Sequence, residues 1–297
     1  MTTIQNGPQT LGEYLAWAAN LLRERIIETP QLDAELLLSH ILKVDRSYVI
    51  CHSDDILEPQ KKIDFFQLIE RRLRYEPIAY ILGRREFYGR TFLLNQDVLI
   101  PRPESELLVD FTLKILQERE KEPVHILDLG TGSGILGITL AAEHTEVKIV
   151  ATDISSEALQ VAEQNAQNIG VADRIVFSGG DLFSALDGIE PKRFDFIVTN
   201  PPYLNPSEKT AIQADIRDFE PDVALFSPKE GLAIIERIAQ QAEEYLKPGG
   251  ILFSEIGFEH EQSVFNLFSN NGNWINLEIL RDLSNYPRVI KAMRKEA

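Results

Sequence analysis

The sequence predicts an α/β protein in which an all-helical domain precedes an open, mostly parallel sheet with helices on both faces. Residues 1–76 place apolar side chains at helical spacing. From Val124 onward, short β-prone runs alternate with amphipathic runs, which is typical of a parallel sheet. The last two of the seven β-prone runs in this part follow each other without a helix between them. We therefore expect a seven-stranded sheet with an antiparallel edge.

Start signals for helices recur through residues 1–76, which we interpret as a domain of four or five helices. Thr10 and Glu13 have the spacing of a capping box before an apolar helical run. Pro30 and Pro59 each stand where a helix would begin, because the first helical position needs no backbone N–H.

A short β-prone segment follows the helical domain. Residues 77–100 contain Gly83 and Gly89 between β-prone runs, which predicts a hairpin linking two domains. Residues 101–297 then form the α/β domain. Its first predicted helix covers residues 107–120, after the segment Pro101–Glu106.

The bulk composition restricts the class of protein. The chain has 297 residues, a net charge of −16 and one cysteine, Cys51, so no intrachain disulfide forms. The N-terminus lacks the pattern of a secretory signal, and no apolar run is long enough to span a bilayer. We expect a cytoplasmic protein without a membrane partner, and since nothing demands a dimer, a monomer. The acidic balance disfavours direct nucleic-acid binding, although residues 71–102 hold seven arginines against three acids.

A glycine-rich turn follows the first strand of the predicted sheet. Its residues are Asp128, Gly130, Thr131, Gly132, Ser133 and Gly134. Ligands of open α/β sheets bind beyond the carboxyl ends of the strands, and glycines there let the backbone approach the ligand. The spacing differs from the dinucleotide pattern and from a P-loop. The alternative is a tight turn that binds nothing.

Acidic residues follow the next two strands. Asp153 ends the second strand, where a carboxylate can accept hydrogen bonds from a ribose diol. Its alternative role is the N-cap of a helix beginning at Ser155. Asp181 and Leu182 follow the third strand, at a place where the edge and face of an adenine would lie.

Two consecutive prolines follow the fourth strand, in the sequence Asn200-Pro201-Pro202-Tyr203. Proline has no N–H donor and a fixed φ, so this rigid corner offers mainly acceptors: the Asn200 side-chain oxygen and main-chain carbonyls. Such a corner suits a substrate NH₂ group, and Tyr203 offers a flat face for a planar group. The alternative is a structural turn.

These motifs resemble the class I S-adenosylmethionine-dependent amino-methyltransferases, whose catalytic domain is Rossmann-like. The match rests on DLGTGSG, the acid at 153 and NPPY. Over nearly the whole chain, LDAELLL (32–38), RRLRYEPIAYILGRREFYG (71–89), LIPRPESE (99–106) and EPDVALFSPKEGL (220–232) resemble the peptide chain release factor glutamine methyltransferases. That family more often has PDTE where this chain has PESE, and both keep an acid at 104 and a hydroxyl at 105.

The resemblance implies N5-methylation of the glutamine in the GGQ motif of class 1 release factors, with S-adenosylmethionine as methyl donor and S-adenosylhomocysteine as product. It implies that the helical domain helps to recognise the release factor. The glycine turn, Asp153, Asp181 and Leu182 would hold the cofactor, with Asn200 at the reacting centre. Asn200 and the Pro201 carbonyl would accept from the glutamine NH₂, with Pro202 and Tyr203 beside it. We further assign Arg102, Pro103 and Glu104 to a lid over cofactor or substrate, and we expect no metal.

Two other functions compete with this one. An exocyclic amine of a nucleic acid, adenine N6 or guanine N2, fits the same NPPY corner. A cofactor-binding adaptor without enzymatic activity would also need the glycine turn, but it would not need the acceptor corner.

Overall fold

The computed structural model describes residues 8–118 and 123–296. It divides into two compact units, Met1–Gly83 with Ala214–Phe219, and Arg84–Gln213 with Glu220–Ala297. A segment from within the predicted α/β domain therefore groups with the helical unit. Sequence periodicity cannot show such a long-range assignment, because it reports only local structure.

The first unit is helical, as the periodicity predicts. Its helices are α1 (Leu11–Glu24), α2 (Pro30–Leu42), α3 (Arg46–Cys51), α4 (Pro59–Leu73), α5 (Ile78–Leu82) and the short helix Ala214–Phe219. The capping box is confirmed, since Thr10 Oγ1 accepts from the Glu13 N–H while Glu13 accepts from the Thr10 N–H. Pro30 and Pro59 begin their helices as predicted.

The predicted linker, residues 77–100, contains the expected hairpin and also a short helix that was not expected. The hairpin consists of β1 (Arg84–Phe87) and β2 (Arg90–Leu93), and residues 78–82 before it are the helix α5. Gly83 ends α5 with a φ of +68°. The difference arises because a short continuous apolar run has no periodicity that separates helix from strand.

A buried ion pair lies inside the helical unit. Arg72 Nε donates to Asp33 Oδ2 at 2.7 Å, and the two side chains are 9% and 2% exposed. The Thr29 hydroxyl donates to the other oxygen of Asp33 at 2.8 Å. Both ions are thereby compensated in a place where an unpaired charge would be costly.

The second unit contains a seven-stranded sheet, which confirms the predicted fold class. Its strands are β3 (Val124–Leu129), β4 (Val147–Asp153), β5 (Ile175–Gly179), β6 (Phe194–Thr199), β7 (Leu246–Glu255), β8 (Trp274–Arg281) and β9 (Pro287–Arg294). Their order is β5-β4-β3-β6-β7-β9-β8. Strands β3 to β7 pair in parallel, and β9 is antiparallel to both β7 and β8. The antiparallel edge follows the sequence expectation.

Helices cover both faces of this sheet. In chain order the remaining helices are α6 (Glu106–Leu116), α7 (Ile135–Glu143), α8 (Ser156–Ile169), α9 (the helix Ala214–Phe219 of the other unit), α10 (Asp222–Leu225), α11 (Ala233–Tyr245) and α12 (Glu261–Ser269). Side chains of α6 and α7 join one apolar core, and those of α11 and α12 join the other. The end of the predicted helix 107–120 lies outside the described residues.

One buried side chain, that of Asn165, bonds both the hairpin and the glycine-rich turn. Asn165 of α8 accepts from the Leu93 N–H at 2.7 Å and donates to the Leu93 carbonyl at 3.1 Å. The same amide donates to the Ser133 carbonyl at 2.9 Å. One side chain therefore joins β2 to the glycine-rich turn.

Four of the seven arginines in the segment 71–102 form ion pairs with acids of the same chain. The pairs are Arg71–Glu76, Arg72–Asp33, Arg90–Glu143 and Arg102–Glu220. Arg84 and Arg85 are exposed on β1. The charge cluster of the sequence is thus largely a set of intramolecular ion pairs.

We expect Asp33→Ala to destabilise the helical unit by about 3–5 kcal/mol, because it leaves the Arg72 charge buried without its partner. Hydrogen exchange of peptides from α1 and α4 measures this change. The control is Arg46→Ala, which removes an ion pair to Glu35 whose arginine is 51% exposed. An exposed pair contributes about 0–1 kcal/mol. Equal protection in the two variants would contradict the prediction.

Candidate active site

One pocket of about 1130 Å³, part of it open to solvent, lies at the carboxyl ends of the parallel strands. It is lined by residues from seven segments of the second unit: 97–105, 129–136, 152–158, 180–182, 199–202, 223–224 and 234. The strand ends meet here because parallel strands present their carboxyl ends at the same edge of the sheet.

The glycine-rich turn forms one wall of this pocket. Gly130 and Gly132 have φ angles of +73° and +55°, which L side chains rarely adopt. A Cβ built on either glycine would meet no atom within 4 Å. The turn therefore exposes bare backbone toward an open space, which is the arrangement that a closely approaching ligand needs.

Asp128 lies beneath the turn and does not line the pocket. It is fully buried, and its Oδ2 accepts from the Thr131 hydroxyl at 2.6 Å and from the Gly137 N–H at 2.9 Å. Burial raises the pKa of Asp128 to about 6, against the two hydrogen bonds that lower it. In this structure Asp128 holds the turn on the first residues of α7.

Asp153 faces the pocket and also supports the turn. Its Oδ2 accepts from the Gly132 N–H at 2.8 Å and its Oδ1 from the Ser155 N–H at 2.9 Å. Each carboxylate oxygen has a second lone pair, so both oxygens retain capacity for a ligand hydroxyl. The N-cap alternative is wrong, because Ser155 itself caps α8 by accepting from the Ala158 N–H. Burial raises the pKa of Asp153.

Asp181 and Leu182 both line the pocket. Asp181 forms a two-bond ion pair with Arg237 of α11, at 3.1 and 2.8 Å, in an exposed position. The carboxylate predicted to meet an adenine edge is therefore paired with Arg237, a residue that no motif of the sequence indicates.

The Asn200-Pro201-Pro202 corner forms the opposite wall. The Thr199 hydroxyl donates to the Leu129 carbonyl at 2.6 Å, which joins the end of β6 to the end of β3. After the corner, Leu204 exchanges backbone hydrogen bonds with Leu225 and Ser227. These contacts fix the corner from both sides.

Gly231 packs against the backbone of the same corner. A Cβ at Gly231 would lie 2.1 Å from the Tyr203 carbonyl oxygen, and its φ is +89°. No other residue fits this place without displacing the chain behind the corner.

A hydrogen-bonded group of side chains lies behind Asn200. Asn200 Nδ2 donates to Ser105 Oγ at 3.2 Å, and Ser105 donates to Glu255 Oε2 at 2.6 Å. The Tyr203 hydroxyl donates to Glu255 Oε1 at 3.3 Å. Burial raises the pKa of Glu255, while its two hydroxyl donors lower it. The pKa of Tyr203 is also raised, first by burial and then by the nearby Glu255 charge, so the hydroxyl keeps its proton.

The predicted lid segment is joined to a second loop. Arg102 Nη2 donates to Glu220 Oε1 at 2.5 Å, and the Ile100 N–H donates to Glu220 Oε2 at 3.0 Å. The Glu220 side chain is 1% exposed. Segments 97–102 and 220–224, both of which contribute to the pocket wall, are therefore connected through one carboxylate.

The structure brings most predicted site residues together in the pocket. Those that line it are Arg102, Gly130, Thr131, Gly132, Ser133, Asp153, Asp181, Leu182, Asn200, Pro201 and Pro202. Those that stand behind its walls or outside it are Asp128, Gly134, Tyr203, Pro103 and Glu104. Tyr203 directs its hydroxyl to Glu255, and Glu104 pairs with Arg288 at 3.5 Å, so neither residue contacts the open space directly.

No motif of the sequence indicates Ser105, Glu255, Glu220 or Gly231 as residues of the site. A signal was present for Glu255, which is an acid at the end of the buried strand run ILFSE. Charged residues in such a run are rarely buried without a partner. The partner could not be named, because Ser105 lies 150 residues earlier.

Within residues 8–118 and 123–296, no group of three or more His, Cys, Asp or Glu side chains could hold a metal ion. No helix of the same ranges has the length and apolarity to cross a membrane.

The open sheet, its glycine-rich turn and the proline corner define the methyltransferase class of α/β proteins. A solved methyltransferase from Pyrococcus furiosus has this fold, with a TM-score of 0.50 at 16% identity, over 76% of this chain and 98% of that one. Residues 105–218 match the family model "Methyltransferase small domain", and residues 13–83 match "PrmC N-terminal domain".

Sequence relatives define the family more closely. The release factor glutamine methyltransferase of Koribacter versatilis is 41% identical over 88% of this chain and 90% of its own length. The one from Bordetella pertussis is 41% identical over 82% of this chain and 87% of its own length. A bifunctional methyltransferase of Rickettsia conorii is 36% identical over 95% of this chain, which spans only 57% of that protein. The chain belongs to the release factor glutamine methyltransferase family, which confirms the resemblance inferred from the sequence.

We expect Asp128→Asn to remove a pH dependence of stability. The pKa of Asp128 is about 6 in the folded state and 3.8 in the ordinary case. Between pH 3.8 and about 6, the folded protein therefore keeps a proton that the unfolded chain has lost. Asp128 by itself should therefore lower the free energy of unfolding by about 3 kcal/mol as pH rises through this window in the parent protein. Denaturant unfolding at a series of pH values measures it.

The control for this experiment is Asp187→Asn, an exposed acid of the same unit. It should retain the decline of the parent protein. An identical pH profile for Asp128→Asn and the parent protein would show that Asp128 does not carry the shifted pKa.

Proposed function

We propose that this protein transfers a methyl group from S-adenosylmethionine to the side-chain nitrogen (N5) of the glutamine in the GGQ motif of class 1 release factors. The observation that carries the proposal is one pocket that combines bare glycine backbone, a strand-end carboxylate and the Asn-Pro-Pro acceptor corner. Family membership supports the glutamine substrate over a nucleic-acid amine. A binding protein without activity would not need the acceptor corner.

The pocket fits the proposed cofactor on its own geometry. Gly130 and Gly132 leave room for a ligand against the backbone, and Asp153 retains a lone pair on each oxygen for a ribose hydroxyl. Ile154 and Leu182 add apolar surface for an adenine. When bound, S-adenosylmethionine supplies an electrophilic methyl group and leaves as S-adenosylhomocysteine.

The residues of the chain would orient the substrate amide and exclude water from it. An amide nitrogen is a poor nucleophile because its lone pair is delocalised, so orientation has to supply much of the rate. The Asn200 oxygen and the Pro201 carbonyl would accept the two N–H bonds. Pro202 and the Leu204 contacts keep this corner rigid. Arg102 and Glu220 would hold the surrounding segments over the bound groups.

The remaining assignments extend this proposal to partners and location. The helical unit, which matches the PrmC N-terminal model, would contribute to release factor recognition. We place the boundaries of the recognition domain, the linker and the methyltransferase domain at 1–76, 77–100 and 101–297. The protein would act in the cytoplasm as a monomer and would not bind nucleic acid directly.

We expect Asp153→Asn to weaken binding of S-adenosylhomocysteine by about 1.5–3 kcal/mol, because it removes a charged acceptor of ribose hydroxyls. Calorimetry measures the affinity, and Asp173→Asn, at an exposed acid away from the pocket, is the control. The 2′-deoxy analogue separates diol binding from support of Gly132. If Asp153 binds the diol, the missing hydroxyl costs affinity in the parent protein and little in the variant. An equal cost in both would restrict Asp153 to a structural role.

The activity itself is tested by incubating the protein with labelled S-adenosylmethionine and a purified class 1 release factor, followed by peptide mass mapping. We expect one methyl group on the GGQ glutamine and none on a release factor that carries alanine there. Label transferred to tRNA or DNA instead would contradict the proposed substrate.

Asn200→Ala should lower turnover on the release factor by roughly 10²–10³-fold, since it removes an acceptor that acts at the reacting nitrogen. The affinity for S-adenosylhomocysteine should change little. Asn168→Ala, on the exposed side of α8, is the matched control. Near-normal turnover of Asn200→Ala would reduce the proline corner to a structural turn.

A further inference from the structure

Ser105 connects the acceptor corner to a buried carboxylate. Its side chain is fully buried, and Oγ lies 2.6 Å from Glu255 Oε2 and 3.2 Å from Asn200 Nδ2. The strands bring the two partners side by side, because Thr199 and Ser254 are paired in register and Asn200 and Glu255 are the next residues.

The direction of each hydrogen bond follows from proton counting. A hydroxyl has a single proton, and Ser105 gives this proton to Glu255 when that carboxylate is ionised. Toward Asn200 the Ser105 oxygen can therefore only accept. The second oxygen of Glu255 receives the Tyr203 hydroxyl, so both carboxylate oxygens act as acceptors.

This direction decides which end of the Asn200 amide remains for a ligand. The NH₂ end is engaged by Ser105, and within the described residues no donor reaches the Asn200 oxygen. An asparagine that lacked this contact could turn its amide over, because its two ends have nearly the same shape.

We propose that Ser105 and Glu255 are positioning residues that hold the Asn200 amide in the orientation that offers oxygen, and not NH₂, to the substrate nitrogen. This inference rests on the proposed function. If Glu255 cannot accept, the Ser105 proton is free to bond the Asn200 oxygen, and the amide then presents a donor to the donors of the substrate. The corner would keep its shape but lose its chemical selectivity.

The environment of Glu255 agrees with a fixed acceptor. Arg288 and Glu104 are the charged groups that act on it, and the two are themselves an ion pair at 3.5 Å. Its strand neighbour Val289 on β9 is fully buried. A carboxylate is costly in such a place unless its hydrogen bonds are satisfied, and Ser105 and Tyr203 satisfy them.

Ser105→Val and Ser105→Thr form the decisive pair of variants, since valine and threonine have similar shapes and differ by the hydroxyl. Threonine keeps the hydroxyl and adds a methyl group that valine also carries, so the pair controls for the added bulk. We expect Ser105→Thr to keep turnover within a few-fold of the parent. Ser105→Val should lose on the order of 100-fold in kcat, as a misoriented reacting group does, with unchanged affinity for S-adenosylhomocysteine and little change in KM for the release factor.

A control variant and a double variant separate the positioning of Asn200 by Ser105 from a purely structural role of Ser105. Thr112→Val removes a different fully buried hydroxyl, in α6, whose hydrogen bond stays within that helix, and it should leave kcat unchanged. Combining Ser105→Val with Asn200→Ala should add little to the loss of Asn200→Ala alone, because both act through the same amide. Additive losses, or normal kcat in Ser105→Val, would overturn the proposal.

Glu255→Met gives an independent test in case Ser105→Val does not fold, as judged by its melting temperature. It removes the acceptor at similar length and should lower kcat as strongly as Ser105→Val, again without further effect beside Asn200→Ala. Normal kcat in Glu255→Met would refute the positioning role. Failure of the proposed function is distinguishable, because the parent protein would then not methylate the release factor at all, and the same variants would be assayed on the acceptor that it does methylate.

Discussion

The register of four parallel strands is the constraint on which the pocket depends. Leu129 of β3 pairs with Thr152 of β4 and with Thr199 of β6, and Thr199 pairs with Ser254 of β7. The next residues along β4, β6 and β7 are Asp153, Asn200 and Glu255, so one edge collects them. Since side chains alternate between the faces of a sheet, a slip of one residue would separate these groups and expose apolar side chains.

Three carboxyl groups at or near this edge of the sheet are buried or partly buried, and burial of a carboxylate costs folding free energy. The pKa values of Asp128, Asp153 and Glu255 are all raised, and burial is the first cause for each. Hydrogen bonds from Thr131, from backbone N–H groups and from hydroxyls offset part of the cost. Clusters of perturbed acids typically mark functional sites, where proteins sacrifice some stability for a preorganised environment.

The sequence predicts secondary structure and the residues that follow each strand, but it does not predict contacts between residues far apart in the chain. The glycine-rich turn, Asp153 and Asn200 each follow a recognisable strand. The strand–helix alternation alone therefore predicts that they lie at the same edge of the sheet. Ser105, Glu220 and Gly231 act through contacts with residues far along the chain, and no period or motif reports such contacts. The sequence predicts α5 as part of a hairpin, because five apolar residues carry no period that distinguishes helix from strand. The ligand roles of the site residues stay predictions.

The amide of Asn165 connects the hairpin to the glycine-rich wall of the pocket. From one buried position it satisfies both backbone groups of Leu93 and the carbonyl of Ser133. Moving the hairpin away from α8 would break these three hydrogen bonds together, and each broken bond costs free energy. The hairpin and the glycine-rich wall of the pocket are therefore coupled, since a displacement of β2 would strain the amide that also holds Ser133.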